Sequence, residues 1–542
     1  MEGQVQFPEK FNLADYYLFD RLDEGLGDKV AIRYGDREYR YAEIADRTRA
    51  LARYFLHAGV EREQRIYTVL PDTPPFAWAF FATLAHGATV AMGNPAAPPD
   101  DLSYVVGYSR AAVVITTPQV AVAIAPALRD DPHLRAVLLV PKTATGEDPE
   151  APVEIPGALA GATFEVRALT DAIAVGRGVD VRPLPPTRRD DVAIWLFTSG
   201  STGRPKAAVH THRDFAFNTE VYAKRTVGYR RDDVTVSVPR LFFGYATGTN
   251  LMFPFAVGAT TGLFSERPTP ESLANAIAMY RPTIVTNVPT MLGKLLEYQG
   301  ELDLSCVRFH LSAGEALPPS LLLRFTGQFR NDVYDGIGSA EMFHIYCSNR
   351  PGDVKPGSLG RVVEGYEIRV LSREATGPGA APLPAGETGV MWVKGDSVAL
   401  GYFQDRDKSW QTFHGHWCRT GDLFRIDADG YLWFSGRADD LFKVGGVWVA
   451  PLEVEECLLQ HPAVALCAVI PVEVDGLVKP KAFVVPRESH KGKDIAAELQ
   501  AHVKARLSKH KYPRLVEIVD DLPKNDRGKV DKKQLIARER GA

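Results

Sequence analysis

The chain has 542 residues, a formal net charge of −4, a hydrophobic fraction of 45% and a charged fraction of 24%. At roughly 100–200 residues per domain, that length implies more than one folding unit, and the composition is that of an ordinary globular protein. A near-neutral chain has no global field to draw it to nucleic acid or a membrane surface, so neither is expected as a partner.

The N-terminus, MEGQVQFPEKFNLADYYLF, has no basic segment leading into an apolar one, so no secretory signal is expected. Strands are predicted at VAIRYG (30–35), RIYTVLP (65–71), AAVVITT (111–117), RAVLLVP (135–141), DVAIWLFTS (191–199), DVTVSVP (233–239) and PTIVTNVP (282–289). Several are apolar without alternation, as strands covered on both faces are. YAEIADRTRALARYFLHAG (41–59) has a helical period and ends on a glycine suited to a left-handed cap. The apolar run 74–99 carries His86, Gly87 and flanking prolines, so a core helix followed by a short strand fits it better than a membrane span of about 20 continuous apolar residues. Alternating strands and helices imply parallel sheets flanked by helices.

Residues 374–386, EATGPGAAPLPAG, read as a surface connection. The last hundred or so residues change character: 462–486 reads as two or three strands and 494–510 as an amphipathic helix, enough for a small α+β domain. SGRADDLFKVGG (435–446) is the expected junction, giving domains 1–438 and 439–542. The five cysteines, Cys306, Cys347, Cys418, Cys457 and Cys467, are scattered and form no CxxC. That pattern is neither a disulfide framework nor a zinc site, and reduced thiols suit a cytoplasmic protein.

The stretch WLFTSGSTGRPKAAVHTH (195–212) concentrates glycines and hydroxyls after a predicted strand and ends them with a lysine. Glycines let successive backbone N–H groups turn toward an anion, hydroxyls add donors and Lys206 adds positive charge, so the stretch reads as a polyphosphate cradle. The helix expected directly after it, HRDFAFNTEVYAKR, would make it a strand-to-helix turn at the carboxyl edge of a sheet. A nucleotide P-loop would place Ser or Thr after the lysine, where Ala207 stands. The GxSxG elbow of a hydrolase is absent too.

TSGSTGRPK (198–206) resembles the phosphate loop of the adenylate-forming superfamily, which comprises acyl- and aryl-CoA ligases, peptide-synthetase adenylation domains and firefly luciferase. YDGIGSAE (334–341) resembles its adenine and magnesium motif, 419–446 its ribose motif and hinge, and PKNDRGKVDKK (523–533) its catalytic-lysine motif. These span nearly the whole chain in the family's order. The resemblance implies a large N-terminal domain of parallel sheets with a β-barrel-like subdomain, and a small mobile α+β C-terminal domain. It also implies two half-reactions: a carboxylate attacks the α-phosphate of ATP to give an acyl-adenylate and pyrophosphate, and a thiol then displaces AMP.

By the same resemblance, Thr198, Ser199, Gly200, Ser201, Thr202, Gly203 and Lys206 hold the β- and γ-phosphates. Asp335 accepts from the adenine amine, in the run Gly336, Ile337, Gly338, Ser339 and beside the turn Gly314, Glu315, Ala316. Glu341 is the Mg2+ ligand, Asp422 takes the ribose hydroxyls, Arg437 lies near ribose and phosphate, and Lys529 bridges the carboxylate and α-phosphate. The family usually has Thr where this chain has Ala340. Ser339 is expected to point elsewhere, because neighbours on an extended segment alternate faces.

LFFGYATGTNLMFP (241–254) stands where the family builds its acyl pocket, and EMFHIYCSNRPG (341–352) resembles the benzoate-CoA ligase branch. The aryl contacts implied are Phe243, Gly244, Tyr245, Gly248, Gly338, His344 and Ile345. Benzoate ligases commonly carry Ala at Gly244, so the missing methyl leaves room for a ring substituent. The expected acid is 2-aminobenzoate (anthranilate), with benzoate as runner-up. The thiol is expected to be coenzyme A, met by Lys443, Gly445, Gly446 and Trp448; Lys479, Lys481, Lys509, Lys511 and Arg514 either meet its phosphates or form a solvated face. An aryl-AMP ligase loading a separate carrier protein is the alternative. Asp439 falls at the family's hinge, and a monomer or homodimer is expected.

Overall fold

The computed structural model describes residues 5–179, 184, 186–199, 204–437, 441–445, 447–474, 476–523 and 530–540, without the side chains of Ser199 and Arg437. Each strand read from sequence is present: Val30–Tyr34, Arg65–Val69, Ala111–Thr116, Ala136–Leu139, Val192–Ser199, Val234–Ser237 and Ile284–Asn287. Ala111–Thr116, Ala136–Leu139 and Ile284–Asn287 are buried at every position, which is why their sequences do not alternate. Tyr41–His57 is a helix, opened by Glu43 accepting from Arg40 N at 2.7 Å and followed by Gly59 at φ 71°. The run 74–99 forms the wholly buried helix Pro74–His86, a left-handed turn at Gly87 and the strand Thr89–Met92. A helix apolar all round belongs in a core. Among the described residues, no helix is long and apolar enough to cross a membrane, and the cysteines are free.

Two compact units form, residues 1–368 with 393–419, and 369–392 with 420–542. The first holds two large sheets among the described residues. One has the order Arg361–Val362, Ile345–Ser348, Asp332–Gly338, Phe309–Ser312, Ile284–Asn287, Val234–Ser237, Thr260–Leu263, Val30–Tyr34, Arg37–Arg40. Its run from Asp332–Gly338 to Val30–Tyr34 is parallel, and its edges are antiparallel. The other has the order Gly401–Tyr402, Pro205–Thr211, Val192–Ser199, Thr89–Met92, Arg65–Val69, Ala111–Thr116, Ala136–Leu139, Glu165–Ala168. A further five-stranded sheet is built from Glu367–Leu371, Gly389–Lys394, Trp417–Ile426, Phe413–His414 and Leu432–Arg437.

In the second unit, the hairpin Val464–Val474 and Leu477–Pro486 adds Leu515–Ile518 in parallel. The helices Pro451–Leu459 and Ala496–Lys504 close a core of Val454, Leu458, Val464, Val469, Val484, Leu499 and Val503. The boundary expected after residue 438 falls inside this unit. The reason is local pairing: Leu432–Arg437 hydrogen-bonds to the strand ending at Ile426 and packs on Pro451–Leu459.

Candidate active site

Val192–Ser199 and Pro205–Thr211 are antiparallel neighbours, with Thr198 opposite Lys206. The two strands are the arms of a hairpin, and the second of them precedes the helix His212–Asn218. This corrects the direct strand-to-helix turn expected from sequence. The small residues Ala207 and Ala208 are fully buried, which lets the second strand lie in the sheet interior. Gly200, Ser201, Thr202 and Gly203 lie outside the described residues.

Lys206 brings two distant segments together. Its Nζ lies 3.7 Å from the centroid of the Tyr402 ring, and the Tyr402 hydroxyl donates to Glu341 Oε1 at 2.6 Å. Burial lowers the Lys206 pKa, and the Glu341 carboxylate opposes that. Glu341 Oε2 takes no hydrogen bond among the described residues. No cluster of three or more His, Cys, Asp or Glu side chains forms a metal centre among them either. A lone carboxylate of this kind fits Mg2+, which binds through one or two carboxylates and otherwise keeps waters and phosphate oxygens.

Asn287, Ser312 and Asp335 form one row across three adjacent parallel strands, near the carboxyl ends where open sheets bind ligands. Asp335 is 4% exposed. Burial pushes its carboxyl up to about 8, against the Ser312 hydroxyl and the Gly336 N–H. Its Oδ1 has no hydrogen-bond partner among the described residues, so a buried polar atom awaits a polar ligand. Gly338 has to be glycine, because a Cβ there would lie 2.4 Å from His344 O, just before the neighbouring strand Ile345–Ser348. Gly314 turns at φ 86° beside exposed Ala316. The Glu315 carboxylate is engaged elsewhere, accepting from Thr290 N at 3.0 Å and Thr290 Oγ1 at 2.7 Å.

Ser339 is extended (φ −148°, ψ 161°), but Ala340–Met342 is a 3-10 turn. The alternation argument therefore stops at Ser339, because a turn does not keep the period of two. The Ser339 Oγ is buried without a partner among the described residues. Ala340 O accepts from His210 Nε2 at 2.6 Å. Sequence reasoning gave His210 no role, and only the alternation Lys206, Ala208, His210 along one strand face hinted at one.

Aromatic side chains gather around His344. Its ring centroid lies 4.7 Å from Phe253, 5.3 Å from Tyr245 and 5.5 Å from Tyr222. Phe253 belongs to the stretch 241–254 expected to build the acyl pocket, whereas Tyr222 was not anticipated. Tyr222 lies on Thr219–Val227, while Gly248 and Phe253 lie on and just past Gly248–Met252. Both segments are π-helical, a geometry frequent at functional sites. His344 Nε2 lies 3.0 Å from Tyr245 O. A carbonyl only accepts, so that nitrogen carries the proton and Nδ1 keeps its lone pair. Nδ1 and the Tyr245 hydroxyl are both buried without partners among the described residues. Burial holds the imidazole down at about 3.

Ile345 is buried opposite Gly338. Phe243 is 43% exposed, so it is not core. A Cβ at Gly244 would meet Leu196 Cδ2 at 3.2 Å. The space left by the missing methyl is therefore largely taken up by Leu196.

In the second unit, Asp422 lies opposite Arg437 and Lys443 opposite Trp448. The Trp448 ring, 41% exposed, lies 4.7 Å from Lys443 Nζ and 4.2 Å from the Arg373 guanidinium carbon. Gly445 turns at φ 57°. Lys481 is paired with Glu517 and Glu539, each at 2.8 Å, and Lys511 with Glu453 at 2.6 Å. Those pairs favour the solvated-face reading for these two lysines. Asp439, Gly446 and Lys529 lie outside the described residues.

The AMP-binding enzyme family matches residues 19–403, and the AMP-binding enzyme C-terminal domain matches 453–529. The chain is 36% identical to a benzoate–CoA ligase of Thauera aromatica over 539 residues, 98% of this chain and 97% of the relative. Its fold matches the anthranilate CoA ligase AuaEII in complex with anthranoyl-AMP with a TM-score of 0.85 at 31% identity, covering 98% of both chains. It matches a benzoate CoA ligase from Burkholderia xenovorans LB400 with a TM-score of 0.81 at 35% identity, covering 97% of this chain and 99% of that one. The chain thus belongs to the AMP-binding enzymes, in the adenylate-forming branch that holds the benzoate–CoA ligases, and is an ATP-dependent, AMP-forming ligase.

Proposed function

We propose that the chain is an aryl-CoA ligase that joins an aromatic carboxylate to ATP, giving aryl-AMP and pyrophosphate, and then passes the aryl group to the thiol of coenzyme A. Two anions must meet in the first step, and preorganised cations and donors stabilise the charge that develops. Lys206 supplies a cation beside the phosphate loop, and Glu341 would hold Mg2+, which when bound neutralises phosphate oxygens. Asp335 offers its unpaired oxygen to the adenine edge. Asp422 takes the ribose, Arg437 stands near ribose and phosphate, and Lys529 bridges the attacking carboxylate and the α-phosphate. Rotation about Asp439 withdraws Lys529 after adenylation and brings the Gly445–Trp448 turn forward for coenzyme A.

The proposed acid is 2-aminobenzoate, and one observation carries that choice: His344 Nδ1 is a buried acceptor without a partner. An amino group on the ring donates to such an atom, whereas benzoate has nothing to donate. Because Leu196 crowds Gly244, the substituent is assigned to the His344 side of the ring.

AMP release dependent on coenzyme A, measured side by side with 2-aminobenzoate, benzoate and a straight-chain acid, tests this reading. The expected order of kcat/KM is 2-aminobenzoate, benzoate, straight chain. A straight-chain acid that matches the aryl acids sinks the aryl assignment. Adenylate formation with no thioester at any coenzyme A concentration would favour loading of a separate carrier protein.

A further inference from the structure

The backbone between the candidate magnesium carboxylate and the aryl-site histidine is bent against its own preference. Phe343 has φ 68° and ψ −61°, and His344 N donates to Met342 O at 2.9 Å. This is the γ-turn of positive φ, which is rare and strained, and a β-carbon makes it more so. Such strain persists only where the surroundings over-determine the chain.

Here the surroundings do. Ala340 O accepts from His210 Nε2 at 2.6 Å, Glu341 O from Ala399 N at 2.9 Å, and Met342 O from Ser397 Oγ at 2.8 Å. The Phe343 ring lies 4.1 Å from that of Phe215. His210 is itself fixed: Nδ1 lies 2.9 Å from Asp214 Oδ2, and the Asp214 carboxylate also accepts from Thr211 N at 3.0 Å and Thr211 Oγ1 at 2.6 Å. His210 and Asp214 are both buried.

We infer that this clamped turn aligns the two halves of the site, with Phe343 and His210 as positioning residues that hold Glu341 and His344 in one fixed relation. The inference rests on the roles given to those two residues under the proposed function. The reacting carboxylate must approach the phosphorus in line and within about 3–3.5 Å. A link of two residues between the ATP side and the aryl side, pinned at successive carbonyls, removes the freedom that would blur that approach.

The test compares Phe343→Ala with Phe343→Gly. Both lose the ring, and only glycine relieves the backbone. The glycine variant is expected to unfold at a higher temperature than the alanine variant, yet to show a kcat for adenylate formation about tenfold lower, within the range a misplacement of about 1 Å can cause. Equal kcat values in the two variants overturn the inference.

His210→Ala and His210→Gln supply an arm that does not depend on Phe343. The alanine variant is expected to lower kcat for adenylate formation, and the glutamine variant, whose amide N–H can reach Ala340 O, to restore it. Raised KM values with kcat unchanged, or glutamine behaving as alanine, overturn it as well. Pyrophosphate exchange by the unaltered chain separates the two layers. If no aromatic acid supports exchange, the proposed function fails and takes this inference with it. If exchange is normal and the variants keep their kcat, only the positioning role fails.

Discussion

A β-carbon on Gly248 would lie 2.6 Å from His344 Cδ2 and 2.7 Å from Nε2, so the imidazole occupies space that any other residue at 248 would claim. His344 has little freedom to yield, because its Nε2 is bound to Tyr245 O and Phe253 lies against its ring.

Gly248→Ala is therefore expected to push the ring out of place. KM for the aryl acid rises about tenfold, the equivalent of one lost hydrogen bond of about 1.4 kcal/mol, while KM for MgATP changes little. Pyrophosphate exchange with each substrate varied in turn checks this. An unchanged acid KM would show that the slot lies elsewhere.

Tyr402 serves two partners through different atoms, its ring for Lys206 and its hydroxyl for Glu341. Tyr402→Phe removes only the hydrogen bond. A bond to a charged group contributes about 1.5–3 kcal/mol, so the Mg2+ concentration giving half-maximal exchange is expected to shift about tenfold or more. Tyr402→Leu also removes the aromatic face under Lys206 and is expected to raise KM for ATP further. A magnesium titration of both variants separates the two contributions.

Asp335 gives the free protein a pH signature. Its carboxyl titrates at about 8 when folded, against 3.8 ordinarily. The folded state thus holds the proton more tightly. The associated stability is complete below 3.8, falls as pH rises and is lost above about 8. Asp335→Asn has no charge to bury, so it is expected to raise the unfolding temperature at pH 8.5 by several degrees and to change it little at pH 4. The same variant is expected to weaken ATP binding. Thermal scans across that range check the first effect and ATP titration the second.

Lys529 and Asp439 divide the proposed reaction. Lys529→Ala is expected to abolish adenylate formation while sparing thioester formation from supplied aryl-adenylate, and Asp439→Pro to do the reverse. Single-turnover assays of each half-reaction decide between this and a site that works without domain rotation, for which both variants would lose both steps alike.

The parallel strands were legible because strands buried on both faces cannot alternate, and Ala111–Thr116 or Ile284–Asn287 read as unbroken apolar runs. The strand Pro205–Thr211 escaped notice because its two alanines and flanking Lys and His carry no strand preference of their own; it is pairing with Val192–Ser199 that makes it one. The motif residues Lys206, Asp335 and Glu341 were legible as chemistry. Tyr402, Tyr222 and His210 were not, because each joins the site through tertiary contacts from segments far apart in the chain. The strain at Phe343 has no sequence signal either, since it comes from the packing around it.

Pro205–Thr211 presents Lys206, Ala208 and His210 from one side, and all three meet the same neighbourhood: Tyr402 receives the first two and Ala340 the third. Because a strand repeats every two residues, deleting a single residue between Lys206 and His210 would leave one of them facing the opposite layer, however little the composition changed. The strand is thus closed to odd-numbered insertions and deletions, whatever residues they leave in place.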